Sequence, residues 1–476
     1  MNVRTRFAPS PTGYLHVGGV RTALFAWLLA RQNNGTFILR LEDTDQSREV
    51  EGADEHLMHS LKTLGLNYDE GPDVSGPHAP YKQSERLEIY KKWALKLLES
   101  GRAYVDSYTT EEVQKFREQA QVDKKAFLYR EHRPDTLYVA WDGTKPLRFK
   151  SDPKDYNWTD GVMGKRHAGK EVVDDFILIK SDGFPTYNFA HIVDDQEMEV
   201  THIIRGQEFL ASTPNYLNLY EALQITPPII ASVPPIMNEQ GNKKLSKRDG
   251  AKDSLDYLKD GIPLSAFINF IVTLGWNDGT EQEIFSLDEL IAKFSLDRVQ
   301  NSGARFDERR LMWTSGAHIR GMELDDLYEQ TKNYWPDSAK NSDDNYKRAI
   351  LALIQERLKM YSEIPELTEF FFVDLPVNLG LISSNKQLKN FDREKLKNLL
   401  ISSEQALGTT NWHNEEIKNC LNKLLDQNQQ KPGVLFSLIR IATTQSPASP
   451  ALAESLEILG KEKCLDRIQQ QINALD

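Results

Sequence analysis

The chain of 476 residues carries a formal net charge of −12, which excludes binding of a polyanion by its whole surface, since only local basic tracks could offset repulsion from phosphates. Hydrophobic residues at 39% and charged residues at 27% describe globular material long enough for about three domains, and no run approaches the roughly 18 apolar residues of a membrane span. Cys420 and Cys464 form no C-x-x-C pair and the start MNVRTRFAPSP lacks a signal-peptide core, so a reducing compartment is expected: the cytoplasm, or an organelle after processing.

Residues 3 to 8, VRTRFA, alternate like a short strand. After the stretch APSPTGYLHVGG (8 to 19), Val20 to Arg31 places Leu24, Trp27, Leu28 and Ala30 at helical spacing, and Gly35 stands where a C-terminal cap belongs. TFILRLED (36 to 43) reads as a buried strand. Strand, glycine-rich turn, helix and strand make the βαβ unit of a doubly wound sheet, whose ligands bind at the carboxyl ends of its strands. Helices are predicted near 50 to 64 and 84 to 99. From about 105 to 175 the text turns charged, aromatic and irregular, as in YREHRPDTLYVAWDG, and suggests an insertion. Strand-like runs at 176 to 180, 186 to 193, 200 to 206 and 229 to 237 predict that the first sheet then resumes. Beyond about 250 the pattern is nearly all helical, as in LSAFINFIVTLGW and PALAESLEILGKEKCLDRI.

Two motifs carry chemistry. At the helix mouth, backbone N–H groups and the helix dipole attract phosphate, Gly18 and Gly19 allow close approach, and His16 can donate to phosphate oxygens. NKKLSKRDG (242 to 250) sets cations around a serine in a polar loop, suited to neutralising a triphosphate as pyrophosphate leaves. Either alone reads as a turn or a solvated basic loop; together, around one sheet, they point to a nucleotide. Further basic tracks run through Arg305, Arg309 and Arg310, and through Lys386, Lys389, Arg393, Lys395 and Lys397.

With HVGG and Lys244-Leu245-Ser246-Lys247-Arg248 in this order, the chain resembles a class I aminoacyl-tRNA synthetase. It is similar in particular to the bacterial-type glutamyl-tRNA synthetases, through RFAPSPTGYLHVGGVRTALFAWLLA, RLEDTD, YKQSERLEIY, PTYNFAHIVDD, VTHIIRGQEFL, KLSKRDGA, FDERRLMW and LGKEKCLDRI. The resemblance implies an α/β doubly wound, Rossmann-type catalytic domain in two halves (1–104 and 185–240). Between them lies an inserted α+β acceptor-binding domain (105–184). A stem-contact domain with the KLSKR loop (241–315) follows, then an all-α anticodon-binding region in two parts (316–375 and 376–476).

It also implies two-step charging of tRNA(Glu) with L-glutamate from ATP and Mg2+, by a monomer acting on neither membrane nor DNA. Catalysis falls to His16, Lys244 and Lys247. The nucleotide falls to His16, Gly18, Gly19, Glu208, Leu245, Ser246 and Lys247. Glutamate falls to Arg6, Ser10, Glu42, Tyr187, His191 and Arg205, where two arginines match two carboxylates and Glu42 matches the ammonium. Glu42 could instead cap a helix, a role expected of Asp45. His191 departs from the family's asparagine, and could still donate to the substrate carboxylate. Gln355, Arg357, Lys359 and Arg440 are candidates for tRNA. Many relatives carry a zinc knuckle where this chain has Ser107 and Tyr108, so no zinc is expected.

The resemblance fits charging of tRNA(Glu) alone and of tRNA(Gln) as well. Rival readings are a nucleotidyltransferase without RNA, which leaves the C-terminal helices without a task, and an inactive RNA-binding relative, which leaves the intact motif residues unexplained. A truncated relative charging queuosine-bearing tRNA would lack the C-terminal region, and a glutaminyl enzyme is disfavoured by Arg205 and HVGGVRTALF.

Overall fold

The computed structural model describes residues 2–134, 140–246, 252–446 and 449–475. The chain forms two compact units, Met1–Lys259 with Leu264–Leu311 and Asp260–Pro263 with Met312–Asp476.

The first unit is built on four parallel strands in the spatial order Thr36–Leu39, Arg4–Phe7, His202–Gly206, Ile229–Val233. From its first strand the chain moves one way to its second and, about 165 residues later, the other way to its third and fourth, so the order reverses between Arg4–Phe7 and His202–Gly206. The crevice beyond the carboxyl ends of those two strands is where such sheets take ligands. The helix Val17–Gln32 packs on this sheet with eleven buried residues, including Val20, Leu24, Phe25 and Leu28.

Four sequence expectations need correction. The run 176 to 180 does not return to the parallel sheet: Ile177–Ile179 pairs antiparallel with Leu147–Phe149, which pairs with Ala103–Val105 in a separate three-stranded sheet. The run 186 to 193 is no strand but the start of the helix Tyr187–Glu197. Seven successive residues there, Phe189 to Asp195, are buried, and a helix enclosed on every side shows no polar face by which to tell it from a buried strand. Gly35 is not the left-handed residue that ends its helix: Asn34 takes that conformation at φ 50°, while the Gly35 amide donates to the Ala30 carbonyl at 2.8 Å and a Cβ on Gly35 would collide with the Val3 carbonyl. Of 229 to 237, only Ile229–Val233 joins the parallel sheet, while Ile236–Met237 pairs with Ala304–Arg305.

The second unit is helical, with two buried apolar clusters. One gathers Ile319, Leu327, Leu351, Ile354 and Leu358, and the other includes Leu400, Leu421, Leu435, Leu438, Leu456 and Ile468. Gly460, at φ 87°, separates the helices Leu452–Leu459 and Lys461–Ala474. No helix among the described residues is long and apolar enough to cross a membrane.

Candidate active site

His16 is the N-cap of the helix Val17–Gln32, and its Nδ1 accepts from the amides of Gly18 (3.1 Å) and Gly19 (3.4 Å). An imidazole nitrogen that accepts carries no proton, so the neutral ring holds its hydrogen on Nε2. A Cβ on Gly18 would lie 3.0 Å from the His16 ring and one on Gly19 would press on Leu15, so Gly18 lets the ring lie across the helix mouth and Gly19 leaves room for Leu15. The exposed imidazole thus extends the positive end of the helix dipole outward as a side-chain donor.

Behind this turn lies a buried charge network. Arg40, fully buried in RLED, donates to Glu42 (2.8 Å) and to Asp195 (2.7 Å). Arg6 donates from Nε to the same Asp195 oxygen at 3.0 Å and from Nη1 to the Ile204 carbonyl at 3.4 Å. Asp194 accepts from Arg86, Gln83 and Tyr90 at 2.7 to 2.8 Å. Three guanidinium groups therefore meet three carboxylates, with no net charge to stabilise from solvent. Burial alone would raise the Asp195 carboxyl, but Arg40 and Arg6 outweigh it and hold it at about 2. For Glu42 burial wins and pushes the carboxyl up, against the pull of Arg40 and Arg6. Sequence reading missed Arg40, Arg86, Asp194 and Asp195, although the charges interrupting the apolar text of RLED and HIVDD were a usable signal.

Arg205, at the end of its strand, differs from Arg6. It is 5% exposed, donates to Thr213 Oγ1 at 3.2 Å, and lies 5.0 Å from the Tyr216 ring centre and 5.5 Å from that of Phe209. Its Nε has no hydrogen-bond partner, and no carboxylate pairs with it among the described residues. A buried cation without a counter-ion is costly unless an anion arrives. Phe209 stacks on Tyr187 at 5.0 Å, and both line a cleft of about 520 Å3 together with Ser10, Glu42, Thr186 and Lys180.

His191 lies on the helix behind Tyr187. Its Nδ1 is 2.7 Å from the Tyr187 carbonyl, which can only accept, so Nδ1 carries the proton and Nε2 is an acceptor. The ring stacks on Tyr187 and meets Tyr216 edge-on. Burial, aided by Arg205 and Arg6 and opposed by Asp195, pushes its pKa down to about 3. In the unfolded chain the value is about 6.5, so between those limits the unfolded state binds a proton that the native state refuses. Stability is then complete above pH 6.5 and is lost as the pH falls. Denaturation at pH 7 and pH 5 is expected to show a loss of about 2 kcal/mol from this group, which His191→Asn removes. An unchanged pH slope in that variant would refute the assignment.

The nucleotide candidates are gathered only in part. His16 lines a second hollow, of about 490 Å3, with Tyr14, His56, Lys252 and Asp253, whereas Ser10 and Thr12 of the same loop line the first. Lys244 reaches Glu208 at 3.7 Å, both side chains more than half exposed. The start of the basic loop is pinned, because Leu245 donates to the Ile236 carbonyl at 2.8 Å and the Asn238 amide to the Lys243 carbonyl at 2.9 Å. Ser246 follows directly. Lys247 and Arg248 lie outside the described residues. Asp45 precedes the short turn Gln46–Arg48 without a capping bond and accepts from Ser47 instead.

In the second unit, Gln355 spends its side-chain amide on the carbonyls of Ile319 and Met322, both at 2.9 Å. Arg357 and Lys359 are exposed. Arg440 is half-buried, donates to Ser449 at 2.8 Å, and has its pKa lowered by burial and by the neighbouring Arg357.

The description "tRNA synthetases class I (E and Q), catalytic domain" matches residues 2–313, and "Anticodon binding domain" matches 326–472. The chain is 40% identical over 481 residues to the glutamate–tRNA ligase of Clostridium botulinum strain Hall, covering 99% of this chain and 98% of that one. It is 39% identical over 485 residues to the same-named protein of Clostridium tetani, at the same coverage. A crystal structure of a glutamate tRNA ligase from Elizabethkingia meningosepticum, in complex with its amino acid, superposes with a TM-score of 0.89 at 32% identity and full coverage of both chains. One from Elizabethkingia anophelis superposes at 0.85 and 32%, over 99% of this chain and all of that one. A sheet that reverses its strand order beside a charge-lined cleft, followed by a helical second unit, is accounted for along nearly the whole chain, which belongs to the class I tRNA synthetases of the glutamate and glutamine family.

Proposed function

We propose that the chain attaches L-glutamate to tRNA(Glu) using ATP. The observation that carries this reading is Arg205, a buried guanidinium without a carboxylate partner among the described residues, beside the cleft that Glu42 lines. The names of the relatives support it. The substrate α-carboxylate attacks the α-phosphorus of ATP, a bond to oxygen forms as pyrophosphate leaves, and a hydroxyl of the terminal tRNA ribose then takes the acyl group and releases AMP.

Arg205 takes one substrate carboxylate through paired charge-assisted bonds. Glu42, with Tyr187 and Ser10, takes the ammonium end. Arg6, committed to Asp195, supplies positive potential and an ordered wall more than a free fork. His191, an acceptor at Nε2, suits the ammonium or a water rather than a carboxylate. Choosing glutamate over glutamine follows from charge, because a neutral amide leaves the guanidinium uncompensated, a loss of about 3 to 5 kcal/mol.

His16, with Gly18 and Gly19, faces the phosphates, and Glu208, Leu245 and Ser246 border the nucleotide. Lys244 and Lys247 neutralise the departing pyrophosphate. Mg2+ enters with ATP, held by its phosphates and water. Arg357, Lys359 and Arg440 meet tRNA, and Gln355 shapes the turn that presents Arg357 and Lys359. The enzyme acts as a cytoplasmic monomer without zinc.

Glutamate-dependent exchange of pyrophosphate into ATP tests the reading. Exchange is expected with glutamate, not glutamine, and only with tRNA present; full-rate exchange without tRNA would overturn the tRNA requirement, and none under any condition would favour an inactive relative.

A further inference from the structure

Beside the helix mouth stands a contact that the reaction scheme leaves unused. His56, on the helix Ala53–Thr63, places Nε2 2.8 Å from Asp253 Oδ2. Asp253 Oδ1 accepts from the Leu255 amide at 3.0 Å, so one carboxylate both caps the helix Ser254–Lys259 and ties it to a different part of the sheet domain. On the backbone, Asp253 forms an antiparallel bridge with His16, and the Ser254 amide donates to the Leu15 carbonyl at 3.0 Å. Tyr14 covers the His56 ring at 4.6 Å between centres, and Ser60 Oγ lies 3.3 Å from Nδ1. The segment so tied begins four residues after Arg248 and abuts the residue that faces the phosphates. A hydrogen-bonding contact between partly shielded side chains adds little to global stability, yet it can fix the register of the two short backbone stretches it ties together.

We propose that His56 and Asp253 are a positioning pair that holds the segment 252–254 against the Leu15–His16 turn and thereby sets His16 for ATP. The proposal rests on the reading of His16 given above. Both act through His16, and their effect is expected in the nucleotide half of the reaction alone.

Pyrophosphate exchange by the full chain, with tRNA present, is compared among the parent, His56→Ala, His56→Gln, Asp253→Asn and the double variant H56A/D253N. Asparagine still caps a helix, so D253N removes the charge and keeps the cap. His56→Ala and D253N are each expected to raise the KM for ATP about tenfold with the KM for glutamate within twofold, the double variant to be no worse than either single one, and His56→Gln, which keeps a donor, to recover most of the loss. Amide hydrogen exchange at Ser254 is read in parallel and is expected to quicken in His56→Ala. Equal shifts in both KM values, additive effects, or an unchanged Ser254 amide would overturn the positioning pair. A parent without glutamate-dependent exchange would instead overturn the functional reading, while the Ser254 amide still reports on the tie.

Discussion

Arg205→Met is expected to raise the KM for glutamate by about 10² to 4 × 10³ while leaving the fold as stable as before or more so. The fork of charge-assisted bonds to a carboxylate is worth about 3 to 5 kcal/mol in a buried site, and each 1.4 kcal/mol is tenfold. Among the described residues no ion pair is lost in exchange. Arg205 has a hydroxyl and two aromatic faces as neighbours but no carboxylate among the described residues, so methionine of similar length removes a buried charge rather than breaking a pair. Steady-state kinetics and urea denaturation on one preparation check both halves. A KM for glutamate within a few-fold of the parent would place the substrate carboxylate elsewhere, and a large drop in stability would show that the guanidinium serves the fold.

Arg40→Leu is expected to do the reverse and strike the fold first. Arg40 joins Glu42 and Asp195, and its removal leaves two buried carboxylates with only Arg6 to share, a cost of about 3 to 5 kcal/mol. The pH dependence separates this from mere loss of packing. Asp195 is held at about 2 against an unfolded value near 3.8, so it contributes stability above pH 3.8 that disappears as the pH falls toward 2. In Arg40→Leu that depression shrinks, and the acid limb of the stability curve should flatten. Urea titrations between pH 2 and 7 read both effects; a variant as stable as the parent would show that the network contributes no net stabilisation.

These two arginines show what a sequence discloses about a site. Arg205 was legible through the resemblance of its motif, VTHIIRGQEFL, to the family's, which implied a substrate contact at that position. Arg40 was not, because its partners are set by topology: Asp195 stands 155 residues away on a helix whose apolar text reads equally as a strand. The βαβ unit was readable since its signals are local, a period of two, a glycine turn and a period near 3.6. The run 176 to 180 went to the wrong sheet because a three-residue strand carries no mark of its partner. His16 was expected to donate to phosphate oxygens, and the structure spends its Nδ1 on the amides of Gly18 and Gly19, a local competition that no spacing rule reveals.

The long insertion between the second and third strands of the parallel sheet also sets a schedule for the newborn chain. Arg6 leaves the ribosome without its acid and Arg40 with Glu42 alone, and Asp195 follows Arg40 by 155 residues, roughly 8 to 30 seconds at ordinary elongation rates of about 5 to 20 residues per second. Throughout that interval the amino-terminal βαβ unit carries cations that it cannot yet bury, so its interior stays open to water. The crevice closes only when the two flanks of the insertion meet, and a fragment ending before the helix Tyr187–Glu197 would hold half of a site and no means of sealing it.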